Sequence, residues 1–403
     1  MGGFFMNRKG TDNMSTMSIL SFGADPSGKL DSTMAIQQAI DRAAMQGGGI
    51  VEVPAGRFLC ADLKMKTGVT LQGCASWGYK RMGGCILMLN SSKTDATCLV
   101  DLTGAYACTL RDLTISGSTD GWEKGAARTD GSGIHGVYLS FPALGPRGGK
   151  TEEDIPTLIN CKVCGFSGDA VHYHNVWCFR IQHCQLAASE NGLSLCGVDG
   201  FILDTWFSAN RRWGIHTEED AYNSSVIVTG CRVEWNEAGG FYVTGARNWQ
   251  ITANSFDRNF GPAVHLDSNH SRIVPFSNTI NLTGNNFNRS GVGREGDAAS
   301  HLVLSEVYNV SVTGNTFMAG AGDDYQGEVT PKYSIVARAL KSAAISGNAL
   351  HNGSTEKVLL DHGGHYEKRS AEDPLCGLRW EANPGCTTLP ACYAVPGYFL
   401  SMK

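Results

Sequence analysis

The sequence has no apolar stretch long enough to span a bilayer, so no membrane insertion is expected. Lysine and arginine form no cluster, and only 18% of the residues are charged, with a net charge of −5, which argues against a nucleic-acid partner. The first residues lack the hydrophobic core of a signal peptide, and residues 1–17 are expected to be a disordered lead or tag remnant. Proline is modest at 12 residues, whereas glycine is abundant at 50. This composition suits many short strands joined by tight turns.

One amphipathic helix is predicted near the N-terminus, after a capping Asp31 or Ser32. Its apolar residues recur at helical spacing, namely Ala35, Ile36, Ala39, Ile40 and Ala43. From about residue 68 onward the sequence predicts only short strands between glycine and asparagine turns. A single helix followed by strands is typical of a capped solenoid, because the open end of the core must be covered.

Eight segments between Leu158 and Leu350 align with one another, each apolar at its first and sixth positions. Their fourth positions form a column 21 to 33 residues apart, consisting of Cys161, Cys184, Thr205, Cys231, Asn254, Asn285, Asn315 and Asn348. In strands stacked about 4.8 Å apart, identical amides can hydrogen-bond along the axis as a ladder. The column predicts an all-β fold, a right-handed single-stranded parallel β-helix with an N-terminal capping α-helix, over residues 18–365. Residues 366–403 are expected to form a C-terminal capping or interaction segment.

A second predicted strand follows each segment and carries a small residue, an inward apolar residue and an outward polar residue. The series is Gly133-Ile134-His135, Ala170-Val171-His172, Gly192-Leu193-Ser194, Gly214-Ile215-His216, Gly240-Phe241-Tyr242, Ala263-Val264-His265 and His301-Leu302-Val303. Parallel strands with a dry interior and a patterned outer face are expected from this pattern.

Two parts of the chain carry a family resemblance. The opening Ser21-Phe22-Gly23-Ala24-Asp25, the capping helix and the strand Gly49 to Gly56 resemble the start of the pectate-lyase-like superfamily. That group includes glycoside hydrolase family 28-related proteins and phage tailspike depolymerases, and the coil from Cys231 to Asn259 resembles their β-helix as well. The resemblance implies the fold and a polysaccharide substrate. It does not choose among the hydrolases, lyases, epimerases and fructan transferases of the superfamily.

Glycoside hydrolysis needs two carboxyl groups that flank one bond. Glu234 and Asp257 follow the sixth position of adjacent segments, so they are predicted to stack one coil apart as the catalytic pair. The residues beside them, Trp235, Arg258 and Arg289, would bind the sugar chain by stacking and by hydrogen bonds from guanidinium groups. The alternative interpretation is a structural ion pair at a turn, held by Arg258.

A second candidate pair, Glu218 and Asp267, shares an outward column of the following strand. His216, Tyr242 and His265 form the neighbouring column and, with Trp213, are further candidates for substrate binding. Both acidic pairs could line one groove. The alternative is that Glu218 begins an exposed acidic loop with the two acidic residues that follow it.

The cysteine and histidine residues between Cys161 and Cys184 superficially resemble a zinc motif. Cys161 and Cys184 lie in the same column as the asparagines, however, so small core thiols explain them and no metal or other cofactor is expected. Cys376, Cys386 and Cys392 lie outside the repeat and could pair.

The polygalacturonase branch of the superfamily carries clustered aspartates and a Gly-His-Gly triplet. Those motifs are matched only in part here, by Gly168-Asp169-Ala170 and Gly133-Ile134-His135-Gly136. The partial match argues against a standard polygalacturonase. The expected function is a polysaccharide-degrading glycoside hydrolase. A lyase or fructan-type transferase, or a tailspike-like protein that binds glycan without cleaving it, remains an alternative. The expected place of action is outside the cell or on a virion or cell surface, and the resemblance also implies a homotrimer.

Overall fold

The chain winds into a stack of coils around one apolar core. The computed structural model describes residues 16–74, 77–93, 95–117, 132–142, 150, 152–218, 222–268, 276–365 and 377–385. In this part, three parallel sheets run the length of the stack, and most coils add one strand to each sheet in the order 1, 2, 3. The predicted all-β parallel β-helix with its N-terminal helix is confirmed.

The sheets are built from short strands, apart from two long ones, Val171–Gln182 and Leu193–Leu203, which pass from sheet 3 into sheet 1 without a break. The other strands of sheet 1 are Met17–Ser18, Gly49–Glu52, Val69–Gln72, Thr109–Arg111, Thr157–Ile159, Asn223–Thr229, Ala246–Thr252, Ser277–Thr283, Val307–Thr313, Ala343–Ser346 and Leu378–Glu381. Sheet 2 consists of Ser27–Asp31, Gly56–Cys60, Cys85–Leu89, Thr114–Ser116, Lys162–Cys164, Gln185–Ala187, Trp206–Ser208, Arg232–Glu234, Ser255–Asp257, Asn286–Asn288 and Thr316–Met318. The other strands of sheet 3 are Leu63–Lys64, Cys98–Asp101, His135–Ser140, Trp213–Thr217, Gly239–Thr244, Val264–Asp267, Ser300–Ser305, Tyr333–Arg338 and Lys357–Asp361.

Short elements cover the ends and edges of the stack. The helix Thr33–Met45 packs its buried side chains, Ile36, Ala39, Ile40 and Ala43, against the first coils. The carboxylate of Asp31 accepts the N–H of Thr33 at 2.9 Å and so provides an N-terminal cap. Two 3-10 helices, Ile19–Phe22 and Gly296–Ala298, and an antiparallel pair, Gly320–Ala321 with Glu328–Val329, complete the described elements.

The corner between sheets 1 and 2 explains why a glycine often directly precedes the asparagine of the repeat. The residue before the column has a left-handed backbone in successive coils, with φ of 55° at Ala253, 66° at Gly284 and 66° at Gly314. Glycine adopts this conformation without strain, and one such residue per coil turns the chain. The following asparagine points into the core, where the Nδ2 of Asn285 donates to the Oδ1 of Asn315 at 2.9 Å. The predicted asparagine ladder is confirmed.

The ladder and the sheets continue past the range predicted from the repeat. Leu378–Glu381 pairs with Ala343–Ser346, and the amide of Asn348 donates to the Oδ1 of Asn383 at 2.9 Å. The stack therefore includes residues beyond 365. Residues 366–376 and 386–403, with Cys376, Cys386 and Cys392, lie outside the described residues, as do residues 1–15.

The cysteine end of the column is packed in the core as predicted. Cys161, Cys184 and Cys231 are at most 2% exposed, and their thiols lie 3.2 to 3.7 Å from backbone carbonyl oxygens. The eleven cysteines that the structure describes are all free thiols. Small buried thiols therefore fill the positions that asparagines fill in later coils.

The imidazole of His301 lies wholly inside the core. Its ring is 6.3 Å from that of Phe287 and 5.9 Å from that of Phe317, and its Nδ1 has no hydrogen-bond partner among the described residues. Burial lowers its pKa to about 3. The unfolded chain, in which histidine has its ordinary pKa of about 6.5, therefore binds an extra proton over the pH range from about 6.5 down to about 3.

This burial makes His301 a source of acid sensitivity. Because the folded-state pKa is depressed, the stability tied to the neutral ring is present above pH ~6.5 and is lost as the pH falls toward ~3. From pH 7 to pH 4, the unfolding free energy of the unchanged protein is expected to fall by about 3 kcal/mol more than that of His301→Leu. Urea unfolding of both proteins at the two pH values measures this difference, and equal losses would contradict it.

Candidate active site

A groove of about 630 Å³ opens on sheet 3 and on the turns that lead into it from sheet 2. It is lined by Gly133, His135, Ser167, Gly168, Asp169, His172, Glu190, Asn191, Ser194, Arg212, His216 and Glu218. These side chains converge because the strands of sheet 3 stack in register, with His172 beside Ser194 and Ser194 beside His216. A groove of this volume is typical of ligand-binding sites.

His135 is the first residue of the strand His135–Ser140 and lies at one end of the groove. Its Nδ1 accepts the backbone N–H of Asp169 at 3.0 Å, which places the ring hydrogen on Nε2. Burial lowers its pKa to about 4 against the opposing charge of Asp169, so the ring is neutral at pH 7. A Cβ on Gly168 would stand 2.8 Å from this Nδ1, so glycine is required for the close approach. The series in the sequence placed His135 in the His172 column, but Tyr138 occupies that position and His135 lies three residues earlier.

Asp169 fixes the orientation of His172. The Oδ1 of Asp169 accepts the backbone and side-chain N–H groups of Asn191 at 3.2 and 2.8 Å, and its Oδ2 lies 2.9 Å from the Nδ1 of His172. Burial raises the pKa of Asp169, but the hydrogen bond from His172 and the nearby imidazoles outweigh it, and the net pKa is lowered. The ionised carboxylate therefore holds the hydrogen of His172 on Nδ1. The other nitrogen, Nε2, faces the groove.

Glu218 stands opposite His172. Its Oε1 lies 3.7 Å from the Nε2 of His172 and has no hydrogen-bond partner among the described residues. Its Oε2 lies 2.7 Å from the Nδ1 of His174. The groove thus contains a carboxylate with one oxygen anchored and the other directed at an oriented imidazole, an arrangement suited to moving protons.

Aromatic rings continue along sheet 3 on both sides of this pair. Tyr138 stacks on His172 with centroids 5.3 Å apart and planes at 10°. Farther along the axis, Tyr242 lies 5.6 Å from His216, 5.3 Å from Trp213 and 5.1 Å from His265. The predicted column of His216, Tyr242 and His265 is confirmed by the register. Such a row of rings is a suitable surface for sugar rings.

The first predicted carboxylate pair lies on sheet 2, outside this groove. Glu234 and Asp257 are register partners in adjacent coils, as expected, but their side chains are only 7% and 14% exposed. Arg232 donates to Glu234 at 3.2 Å, and Arg258 and Arg289 together bind both oxygens of Asp257 at 2.5 to 2.8 Å. This geometry favours the interpretation as structural ion pairs.

The predicted binding residues beside that pair line a smaller cavity of about 270 Å³. Arg258 stacks over Trp235 at 5.1 Å and also pairs with Asp323, and Arg289 donates to the carbonyl of Ala321 at 2.6 Å. Of the four predicted acidic residues only Glu218 lines the groove of sheet 3, so the two acidic sets do not share one groove.

Asp267, the predicted partner of Glu218, lies farther along sheet 3. It pairs in register with Thr244, as expected for the shared column, and its Oδ2 is 3.6 Å from the Nε2 of His265. Burial lowers the pKa of His265 despite the charge of Asp267. Neither residue lines the groove of Glu218, so the structure does not bring this pair together. Residues 219 and 220, which follow Glu218, lie outside the described residues.

The repeat pattern did not identify Asp169, His135, His172 or His174 as site residues. The sequence contains a signal for two of them, since Gly168-Asp169 and Gly133-Ile134-His135-Gly136 partly match the motifs of polygalacturonases. The structure brings both segments into contact at one end of the groove.

Among the residues that the structure describes, two groups of side chains have ligand atoms close enough to hold a metal ion. One is His135 with Asp169 and His172, and the other is His174 with Cys196 and Glu218; within each group the ligand atoms lie within 4.8 Å of one another. In the first group, the hydrogen bonds described above involve His135 Nδ1 and both oxygens of Asp169. In the second, Glu218 Oε1 remains without a partner.

Among the described residues, no helix has the length and apolar character needed to cross a membrane.

Stacked parallel coils define a β-helix protein, and this one carries a polar cluster on one sheet. A family model described as "Right handed beta helix region" matches residues 149–368, more than half of the chain, and the chain belongs to that family. A second model, "Rhamnogalacturonase A/epimerase, pectate lyase-like", matches residues 16–80. The expected right-handed coil and the resemblance to the pectate-lyase-like superfamily are thereby confirmed.

Solved structures with a similar fold come from several kinds of protein. Tailspike protein 2 of Escherichia coli O157:H7 bacteriophage CAB120 is 12% identical with a TM-score of 0.63 over 83% of this chain, which spans 43% of the tailspike. The mannuronan C-5 epimerase AlgE4 A-module of Azotobacter vinelandii is 16% identical, with a TM-score of 0.55 over 92% of this chain and 100% of the module. DFA-IIIase from Arthrobacter chlorophenolicus is 16% identical, with a TM-score of 0.59 over 90% of this chain and 88% of the enzyme. At these identities the likeness concerns the fold alone.

Proposed function

We propose that the protein cleaves a uronate-containing polysaccharide by β-elimination in the groove of sheet 3. The observation that carries this proposal is the 3.7 Å separation of His172 Nε2 and Glu218 Oε1. A glycoside hydrolase holds its two catalytic carboxyl groups about 5 to 9.5 Å apart, on either side of the bond that it cleaves. Two groups as close as His172 and Glu218 reach neighbouring atoms on one face of a sugar ring, as a syn elimination requires.

In the proposed step, Glu218 takes the proton from C-5 of a uronate through its free oxygen. The C–H electron pair forms the C4–C5 double bond, the bond from C-4 to the glycosidic oxygen breaks, and that oxygen takes the Nε2 proton of His172, which enters the step as the imidazolium. The step leaves His172 neutral and Glu218 protonated, and transfer of that proton from Glu218 to His172 restores both groups. Asp169 stabilises the imidazolium and holds its orientation, since the two groups are 2.9 Å apart. No water is consumed, and the products are an unsaturated uronate end and a new reducing end.

Abstraction of the C-5 proton requires that the charge of the substrate carboxylate be balanced. Arg212 is exposed on the groove, and among the described residues no carboxylate lies within ion-pair distance of its guanidinium. By contrast, the neighbouring Arg211 pairs with Glu190 at 2.7 Å. Arg212 is therefore the residue that we assign to the uronate carboxylate.

The test compares two products in the same reaction. Acidic and neutral polysaccharides are incubated with the protein, and the ultraviolet absorbance of unsaturated uronate ends is followed together with reducing ends. Elimination is expected to raise both in equal amounts on an acidic chain. Reducing ends without absorbance would contradict elimination and indicate hydrolysis. Binding of a glycan without either product would indicate the tailspike-like binding protein.

Hydrolysis by Glu234 and Asp257 is the second candidate. Its support is that the two residues are register partners in adjacent coils, since a strand spacing of about 4.8 Å approaches the ~5 Å separation of carboxyl groups in retaining glycosidases. In that case, reducing ends would appear alone, and Glu234→Gln and Asp257→Asn would each abolish them.

We also propose that the protein acts outside the cell or on a virion or cell surface, because that is where long acidic glycans are accessible. The homotrimer implied by the resemblance to tailspikes belongs to the same proposal. Sedimentation equilibrium measures it, and a monomeric mass would contradict the trimer.

A further inference from the structure

We propose that His174, Cys196 and Glu218 form a binding site for a borderline-soft divalent cation such as Zn²⁺. We further propose that occupancy of this site inhibits the enzyme by withdrawing Glu218 from proton transfer. The inhibitory part rests on the proposed function, whereas the binding part does not. Cys161 and Cys184, whose core positions argue against a zinc site, are not part of this group, although His174 lies between them in the sequence.

The three residues occupy one column of sheet 3 in three consecutive coils. His174 is the register partner of Cys196, and the pairing of Leu195 with Thr217 brings Glu218 to the same position in the next coil. Neighbouring strands are about 4.8 Å apart, so the outer two positions are separated by about 10 Å. The middle side chain is short and the outer two are long, which lets all three meet above the middle strand.

The ligand atoms are already gathered. The Nδ1 of His174 and the Oε2 of Glu218 are 2.7 Å apart, and all three ligand atoms lie within 4.8 Å of one another. Cys196 is 3% exposed, and its thiol donates to the Oδ1 of Asn175 at 3.2 Å. Asn175 is itself fixed, since its Nδ2 donates to the carbonyl of Phe141 at 2.8 Å. The sulfur is therefore held in place by its surroundings.

The donor set selects the class of cation. Thiolate, imidazole and carboxylate together are ligands of Zn²⁺ and Co²⁺, whereas Ca²⁺ and Mg²⁺ take oxygen ligands. Three protein ligands leave a fourth tetrahedral position for water. Solvent can reach the site, because the His174 and Glu218 side chains are 40% and 22% exposed.

The neighbouring group of His135, Asp169 and His172 is the weaker competitor for a cation. Both oxygens of Asp169 accept hydrogen bonds, and His135 Nδ1 accepts the N–H of Asp169. In the proposed site, by contrast, the Oε1 of Glu218 has no hydrogen-bond partner among the described residues.

Binding is tested with Co²⁺, whose bond to a thiolate gives a near-ultraviolet charge-transfer band. The unchanged 403-residue chain is expected to give a saturable band with one ion per chain, displaced by Zn²⁺. Cys196→Ser is expected to lose the band. The matched control is Cys178→Ser. It removes a half-buried thiol of the neighbouring strand Val171–Gln182, outside the site, and should keep the band. Absence of the band from the unchanged protein, or its persistence in Cys196→Ser, would overturn the site.

Inhibition is read as the ratio of each protein's own activity with and without saturating Zn²⁺. The unchanged protein and Cys178→Ser should lose at least about 10-fold. Cys196→Ser should lose less than half of its activity at the same concentration. Equal inhibition of all three, or none in the unchanged protein, would overturn the inhibitory role. If no glycan is cleaved at all, the proposed function has failed, and the Co²⁺ titration still decides the binding site.

Discussion

Replacing Asn285 by alanine is expected to lower the free energy of unfolding by about 4 kcal/mol, the largest stability effect of a single core substitution that we foresee. Its amide donates to Asn315 Oδ1 and to the carbonyl of Ile251, both at 2.9 Å. Its own Oδ1 accepts the backbone and side-chain N–H groups of Asn254, both at 3.0 Å. Alanine would remove these four hydrogen bonds, each worth roughly 1 kcal/mol. Asn315 Oδ1 would keep the backbone N–H of residue 285, and Asn254 Nδ2 would keep the carbonyl of Val228, whereas the buried backbone N–H of Asn254 would lose its acceptor. Urea unfolding at neutral pH measures the change.

The matched control is the next residue along the chain. Asn286 is exposed on sheet 2, and only its backbone takes part in the described hydrogen bonds. Asn286→Ala therefore tests the same change of residue type without the ladder, and it should alter stability by no more than about 0.5 kcal/mol. Equal effects of the two substitutions would mean that the ladder contributes no more than an exposed amide.

This ladder was the most predictable part of the molecule, because its signal depends only on periodicity. Asn254, Asn285, Asn315 and Asn348 recur at the same position of an apolar frame, and the frame alone fixed their register. The last member, Asn383, escaped detection because the sixth position of its segment is Gly385, where the frame requires an apolar residue.

The site was predictable only where it follows the same register. The columns containing Glu218 and His216 were correct, since both residues lie on regular strands of sheet 3. The contact between His135 and Asp169 depends on a turn in which the chain departs from the strand series by three residues. Periodicity contains no information about such a turn, which is why the two partial motifs seemed unrelated in sequence.

Register also could not reveal how side chains are neutralised. Glu234 and Asp257 were correctly placed in adjacent coils, but the sequence does not say that Arg289 turns back onto Asp257 with two hydrogen bonds. Pairing in register identifies neighbours. Whether a neighbouring carboxylate is free for chemistry depends on rotamers and on what covers it.

His172→Gln and Glu218→Gln are each expected to reduce kcat by about 10² to 10⁴-fold on the acidic polysaccharide that the protein cleaves. Glutamine keeps hydrogen-bonding capacity at either position but neither takes up nor releases a proton. KM should change much less, because Arg212 and the ring column of sheet 3 remain to bind the chain. Initial rates of unsaturated-end formation at several substrate concentrations separate the two constants.

The matched control for His172 is His183, an exposed histidine on the opposite side of the coil, paired with Asp204 at 2.7 Å and lining neither cavity. His183→Gln should leave kcat and KM unchanged, since it removes the same type of group away from the groove. Full turnover in His172→Gln and Glu218→Gln, together with its loss in Glu234→Gln, would move the catalytic centre to sheet 2. Loss of turnover in the first two variants alone, with their unfolding midpoints unchanged, ties the chemistry to the pair that stands 3.7 Å apart in the groove.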